Sequence, residues 1–300
     1  MDTTADDDGR AGSPDPGGPA GSLAAERRVA VGAAREAGAL LRSRFHDDYG
    51  VRAKDDRGDV VTELDLMAES LVVGRLRESF PGDRILSEEA GPVPAAPGGE
   101  RTGRTWLVDP LDGSNNVVIG LPAYAVGIAL CVGEAPVLGV VHDPVTDRTW
   151  TASAGLGAYG PRGRLTGPAG RPSAAGPLLA WTQGHAVARR DPVARALKDA
   201  LEARSRRVLQ LWAPLLAWAM LARGDIDGFV GYRAEAIDLP AGALLAAEAG
   251  LAIRALDGGA FHGGVGGPDT DRSFVAGRPE VLPDLLELVA EGRPTTAPTP

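Results

Sequence analysis

The stretch Trp106-Leu107-Val108-Asp109-Pro110-Leu111-Asp112-Gly113-Ser114-Asn115-Asn116 decides how the rest of the chain is read. The apolar run up to Val108 has the character of a buried strand, and Pro110 and Gly113 predict a turn at its end. Two carboxylates therefore leave one strand end together. Only two residues separate Asp109 from Asp112, and Pro110 cannot donate to a sheet. A tight turn then aims both side chains at one point and offers the Leu111 carbonyl inward. Such a group of hard oxygens suits Mg²⁺ or a similar divalent cation. Gly113 and Ser114 follow at the start of a short helix, where free backbone N–H groups can hold a phosphate. Asp-Pro and Asp-Gly pairs are also ordinary turn chemistry, so the rest of the chain has to decide between a metal site and a plain loop.

Three hundred residues suffice for one large domain or two packed subdomains with an ample core. The apolar fraction of 44% is that of an ordinary globular protein. A formal charge of −9 argues against nucleic acid, because phosphate contacts need clustered Lys and Arg. An anionic substrate would have to be met by metal ions, not by a basic surface. The single cysteine, Cys131, sits in an apolar stretch; it excludes an intrachain disulfide, reads as a core residue and fits a reducing cytoplasm. No early apolar segment follows a basic start, and no apolar run approaches membrane-spanning length, so neither a signal peptide nor a membrane partner is expected.

Along the chain, residues 1–22 are rich in Asp, Gly and Pro and read as a disordered acidic tail. From Leu23 to about Phe45 apolar residues recur at helical spacing. Thr62 opens a second helix that runs to about Phe80; taken alone, Thr62 is its N-cap and Asp65 the capping partner. Arg84 to Ser87 reads as a short strand ending in Glu88 and Glu89, which by themselves would be an exposed terminus. Residues 92–103, dense in Pro and Gly, read as a flexible excursion. Ala123 to Val132 and Pro136 to Val141, divided by Gly133-Glu134, predict a hairpin, and Thr149 to Ser153 a further strand. Gly155-Leu-Gly157-Ala-Tyr-Gly160 matches the dinucleotide-binding pattern literally. Pro161-Arg162-Gly163 continues a turn-rich segment where a helix would be required, so the motif is assigned to a hairpin loop and implies no NAD. Beyond residues 163–177 strands and helices alternate, which favours α/β architecture. The expected organisation is a tail (1–22), an N-terminal α+β subdomain carrying the signature (23–175), a C-terminal α/β subdomain (176–292) and a short tail (293–300).

The order Trp-x-Val-Asp-Pro-Leu-Asp-Gly-Ser-x-Asn resembles the signature of the inositol monophosphatase family, Mg²⁺-dependent phosphomonoesterases of the lithium-sensitive type. Three further stretches match in the right order, from about Leu23 to about Glu291. Lys54 to Asp65 looks like the family's Lys-…-Asp-x-Val-Thr-x-x-Asp block. Ser87-Glu88-Glu89 is similar to a Gly-Glu-Glu run, with Ser in place of Gly. Ile237-Asp238 through Glu248-Ala249-Gly250 resembles Trp-Asp-x-Ala-x-Gly followed by Glu-Ala-Gly, with Ile237 for the Trp and Pro240 for the first Ala. Read alone, Asp238 is a helix N-cap; a cap needs one oxygen, so both roles can coexist.

The resemblance implies a layered αβαβα sandwich of two subdomains and a homodimer. It implies that Glu88, Asp109, the Leu111 carbonyl, Asp112 and Asp238 hold two or three Mg²⁺. Ser114, its hydroxyl oriented by Asp65, would join Glu88 in positioning a water for in-line attack without a phospho-enzyme. Gly113 and Ser114 would take the phosphate, and Lys54 would lie near the ligand. A haloacid-dehalogenase-type phosphatase is disfavoured, since its Asp-x-Asp has one intervening residue. His46, His142, His185 and His262 show no paired spacing for zinc.

The alcohol end departs from the family. Gly231 falls where inositol-specific members place a Glu that grips ring hydroxyls, Trp212-Ala213-Pro214 replaces small residues, and Ile119 and Leu121 replace the usual His and Phe. The expected substrate is a small phosphate monoester other than myo-inositol phosphate. Trp212 stacks on a nucleoside or other flat ring, or else plugs the core. The alternatives are a nucleotide or sugar bisphosphatase with the same ligands, and a non-catalytic relative acting as a partner or regulator. Retention of five acidic positions, Asp65, Glu88, Asp109, Asp112 and Asp238, argues against the last, because an idle site has no physical need for them.

Overall fold

Helix α1 (Ala24–Arg44) buries a stripe of small residues, Ala30, Ala33, Ala34, Ala37 and Gly38, and so approaches the sheet behind it closely. A Cβ on Gly38 would run into the His142 ring. The computed structural model describes residues 23–292 except 56–57, 96–101, 171 and 268–269. Both tails and the centre of the Pro- and Gly-rich excursion thus lie outside the described residues.

A two-stranded ribbon, β1 (Val51–Ala53) with β2 (Val60–Thr62), leads into α2 (Glu63–Ser79). There follow β3 (Arg84–Ser87), β4 (Gly91–Val93), β5 (Arg104–Asp112), the short α3 (Ser114–Val118), β6 (Ala125–Val132), β7 (Ala135–Asp143), β8 (Arg148–Ser153), β9 (Gly157–Gly160) and β10 (Gly163–Arg164). These strands form one sheet in the order β10-β9-β8-β7-β6-β5-β3-β4, in which β3 and β5 are parallel and the other pairs antiparallel. The second half supplies β11 (Leu178–Gln183), α4 (Pro192–Arg204), β12 (Arg207–Leu209), α5 (Pro214–Arg223), β13 (Gly228–Tyr232), α6 (Leu239–Glu248), β14 (Ala252–Arg254), β15 (Phe274–Gly277) and α7 (Leu282–Glu291). Its sheet runs β12-β11-β13-β15-β14.

Period-two alternation decides the layers. Trp106, Val108, Val126, Ile128, Leu130, Leu138 and Val140 pack with α1 and α2. Their neighbours Leu107, Ala125, Ala129, Cys131 and Val141 face α5 and α6. Trp218, Leu221, Ala243 and Ala246 on those helices then meet Phe229, Phe274 and Ala276 of the second sheet. The far face of that sheet, Leu179, Trp181, Val230 and Val275, is covered by α4 and α7. This is the αβαβα sandwich. Burial pushes the Cys131 thiol up to about 12, consistent with an inert core residue.

The differences from expectation are local. The β1–β2 ribbon, β4 and β14 have strands of three residues each, too short for alternation to show in a sequence. β4 occupies the start of the stretch expected to be irregular, paired on β3. The Gly155–Gly160 motif forms the β8–β9 turn and also β9 itself. Its purpose is mechanical: the Glu248 carboxylate at the end of α6 accepts the Gly155 and Gly157 N–H groups at 2.7 Å each.

The small residues facing α5 and α6 let those helices lie against the sheet. A Cβ on Gly139 would stand 2.7 Å from the Ala241 carbonyl oxygen, a backbone atom of α6. Gly139→Ala therefore displaces α6 and costs about 1–3 kcal/mol in urea denaturation; unchanged stability would show that the helix gives way freely.

Candidate active site

Asp109 and Asp112 stand three positions apart, an odd step, so a regular strand would send them to opposite faces of the sheet. The structure avoids this with a bulge. Asp109 pairs with Gly127 and Asp112 with Ala125, three steps on β5 against two on β6. Pro110 has no N–H to give to the ladder, which is why the irregularity falls there. The strand therefore continues through Asp112, where the sequence predicted a turn after Val108. Both carboxylates consequently face α5 and α6. The Leu111 N–H donates to Asp109 Oδ1 at 3.1 Å, and the Leu215 N–H in the first turn of α5 donates to Asp112 Oδ2 at 2.7 Å.

Asp65 performs both roles open to it in the sequence, one with each oxygen. Oδ2 accepts the Thr62 N–H at 2.8 Å and the Thr62 hydroxyl at 2.5 Å, closing a capping box on α2. Oδ1 accepts the Ser114 hydroxyl at 2.5 Å. Ser114 Oγ also lies 3.0 Å from the Leu111 carbonyl, so that carbonyl faces the same space. Gly113 is left-handed, with φ +103°, and a Cβ there would meet the Ala123 carbonyl oxygen at 2.9 Å. Only glycine fits at this corner.

Glu88 follows β3, its N–H held by the Val108 carbonyl at 3.1 Å. Its side chain lies 2.8 Å from Lys54 Nζ, and Lys54 also pairs with Glu89. The charge of Glu88 also acts on Asp109. Asp238 stands at the N-cap of α6 but makes no capping hydrogen bond, against expectation. Pro240 at the second helical position removes one of the N–H groups a cap would engage. Asp238 Oδ1 is buried without a partner.

The electrostatics follow from this crowding. Asp109 is raised well above the usual carboxylate range by burial and by the charges of Glu88, Asp112 and Asp238. Asp112 is likewise raised, by burial and by Asp238, against the Leu215 N–H that favours its charge. Asp238 is pushed to about 8 by burial and by Glu235 and Glu88. For Lys54, burial pulls the ammonium down, but its acidic partners outweigh this and hold it above its ordinary value. The donor set is hard, oxygen-only and short of positive charge, and its orphaned Asp238 oxygen fits a divalent cation. Among the described residues no three His, Cys, Asp or Glu side chains already stand in metal-ligand geometry.

Two residues expected at the alcohol end are Gly231 and Trp212. Gly231 is buried in β13, and the space its Cβ would need is filled by the Phe274 ring, so it serves packing. Trp212 is 55% exposed, which corrects the alternative of a core plug. Sequence reasoning missed Asn116, whose side-chain amide donates to the Ala123 carbonyl at 2.6 Å and the Leu211 carbonyl at 2.7 Å. It thereby ties the signature to the segment entering α5. The signal available was its place inside the signature, a polar residue where a short helix turns inward.

The sequence model of the inositol monophosphatase family matches residues 23–291. The chain belongs to that family. Inositol-1-monophosphatase SuhB of Mycobacterium tuberculosis (strain ATCC 25618 / H37Rv) is 36% identical over 243 residues, 76% of this chain and 82% of that one. Nus factor SuhB of Escherichia coli (strain K12) is 30% identical over 264 residues, 86% and 93% of the two chains. Among solved structures, Mycobacterium tuberculosis SuhB superposes with a TM-score of 0.71 at 30% identity, over 91% of this chain and 98% of that one. The suhB protein of Bartonella henselae does so with 0.78 at 27% identity, over 89% and 98%. Membership in the inositol monophosphatase family supports a phosphatase of that superfamily.

The raised pKa of Asp238 has a sign that can be measured. Its folded value, about 8, lies above the usual 3.8, so its contribution to stability is full below about pH 3.8 and is lost as pH rises toward 8. Asp238→Asn should therefore stabilise the metal-free protein by roughly 2–4 kcal/mol at pH 8 and by little at pH 4. Equal effects at both pH values in urea titrations would refute the electrostatic assignment.

Proposed function

We propose that this protein hydrolyses a small phosphate monoester with Mg²⁺, two or three ions being held by Glu88, Asp109, the Leu111 carbonyl, Asp112 and Asp238. The observation that carries this reading is the burial together of Asp109, Asp112 and Asp238, two of them on one face through the Pro110 bulge. Such a cluster opposes folding on its own and is relieved by a multivalent cation. When bound, Mg²⁺ would stabilise charge on the phosphate and on the leaving oxygen and render water more acidic. Asp65 accepts the hydrogen bond of the Ser114 hydroxyl, which leaves the serine lone pairs free to accept a hydrogen from the attacking water. Glu88, at the edge of the cluster, would help position the same water. Gly113 and Ser114 present backbone N–H groups to the phosphate, and Lys54 adds positive charge beside Glu88.

At the alcohol end we propose a substrate with a flat ring, such as a nucleoside monophosphate, in place of myo-inositol phosphate. Trp212 is exposed and holds φ +53°, a conformation bulky residues rarely adopt. It is kept there from both sides: Asn116 grips the Leu211 carbonyl, and Asp112 grips the Leu215 N–H. An exposed indole on a backbone held at both ends offers a face for stacking. The free buried thiol of Cys131 supports a reducing, cytoplasmic setting. The exposed Ile119 and Leu121 support a homodimer, which light scattering measures.

The test is phosphate release from a panel of inositol, sugar and nucleoside mono- and bisphosphates. Activity should require Mg²⁺, vanish with a chelator, and fall more than about 100-fold in Asp112→Asn. Release only from bisphosphates would move the assignment to a bisphosphatase. No release from any member would favour a role as a partner or regulator, as the name of the Escherichia coli relative suggests. Trp212→Ala should raise KM for a nucleoside monophosphate by about 5- to 150-fold, the equivalent of one lost stacking contact. An unchanged KM removes the stacking idea.

A further inference from the structure

Glu69 lies one turn beyond Asp65 on α2, so two carboxylates leave the same face of one helix. Asp65 reaches Ser114. Glu69 reaches the end of β3. Its Oε1 accepts three hydrogen bonds: from the Ser87 hydroxyl, from the Glu89 N–H at 3.1 Å and from the Ala90 N–H at 2.9 Å. With Glu69 only 7% exposed, a buried carboxylate is being used as a hydrogen-bond hub, which is costly unless those bonds are made.

All three donors belong to the residues on either side of Glu88. The Glu88 N–H itself is taken by the Val108 carbonyl on β5. The turn is thus fixed from behind by α2 and from the side by β5, and only the Glu88 side chain is left to face Lys54 and Asp109. Ser87 completes the clamp: a glycine at this position would supply no hydroxyl to the Glu69 oxygen.

We propose that Glu69 is a positioning residue that presents Glu88 to the metal site in register with Ser114; this rests on the metal reading given above. Because one helix face carries both Asp65 and Glu69, the distance between the two loops that bring Ser114 and Glu88 together is set by the rise of a single helical turn. Groups that orient a ligand in this way govern metal affinity more than substrate affinity.

All three bonds end on one oxygen, which supplies a conservative control. Glu69→Gln keeps Oε1 as the acceptor, whereas Glu69→Ala removes it. The readouts are Mg²⁺ affinity by calorimetry, exchange of the Glu89 and Ala90 amide hydrogens by NMR, and the Mg²⁺ dependence of kcat. In Glu69→Ala the Mg²⁺ affinity should fall about 10- to 100-fold and both amides should exchange faster. Excess Mg²⁺ should restore most of kcat, with KM for the ester changed by less than about threefold. Glu69→Gln should remain close to wild type in all three. Should Glu69→Ala fail to fold, Ser87→Ala removes one of the three bonds and should show the same pattern at smaller amplitude. A folded Glu69→Ala with wild-type Mg²⁺ affinity overturns the proposal, as does a Glu69→Gln as damaged as the alanine variant. A wild-type chain that binds Mg²⁺ but releases no phosphate refutes the phosphatase reading while leaving Glu69 supported by affinity alone. A wild-type chain that takes up no Mg²⁺ overturns both.

Discussion

A missing N–H at Pro110 is the constraint on which the site depends. Sheet geometry alternates side chains, and Asp109 and Asp112 stand an odd number of positions apart, so regular pairing would have buried one of them under α1 and α2. The bulge against Gly127 and Ala125 turns both toward α5 and α6. The rest of that face is then built small: Ala125, Gly127, Ala129 and Gly139 let the two helices come close. Only at that distance does the Leu215 N–H reach Asp112. The catalytic reading and the packing of the middle helix layer are therefore consequences of one local irregularity.

The same arrangement is electrostatically unfavourable. Asp109, Asp112 and Asp238 are buried within reach of one another's charge, in a chain whose formal charge is already −9. The ordered counter-charge at the site is Lys54, and it is committed to Glu88 and Glu89 at the edge, not to the buried three. A protein selected for stability alone would replace such carboxylates by amides or apolar groups. Their retention is the physical ground for a ligand of high positive charge density, and it separates this cluster from the acid-rich surface elsewhere.

Much of this was legible in the sequence. Helices with clear patterns and starts, such as α1 from Ala24 to Arg44 and α2 with its Thr62–Asp65 box, stand where pattern and caps put them. The long strands β6 and β7 do too, because two apolar runs divided by Gly133-Glu134 read as a hairpin. The three-residue strands β1, β2, β4 and β14 were not legible, since nothing distinguishes them from loops until a partner is present. The bulge was not legible either: Pro110 announces an interruption, but turn and bulge share that signal. Asp238 illustrates a third limit. Its position at a helix start was readable, but its missing cap bond depends on Pro240 and on the direction the side chain takes. Asn116 and Glu69 act through partners far along the chain, at Leu211 and at Ser87 to Ala90, and no local pattern encodes such pairings.

The substrate end obeys a different logic from the phosphate end. Gly231 is locked in as glycine by Phe274, which fills the space its side chain would need. Phe274 in turn stacks on Trp218 and meets Phe229 and Phe261 edge-on, at centroid distances of 4.7, 5.0 and 5.7 Å. Placing an acid at 231 would therefore disturb the aromatic packing between α5, α6 and the second sheet, at a cost of several kcal/mol. A single substitution cannot restore a ring-gripping carboxylate there. On the proposed reading, discrimination among alcohols has to come from residues outside that core. Trp212 fits that proposal: it is exposed, and its chain segment is joined to the acidic cluster through Leu215 and Asp112 without being part of the packed aromatic group. On that reading, substrate preference can thus change around Trp212 while Asp109 and Asp112, held by the Leu111 and Leu215 N–H groups, stay in place.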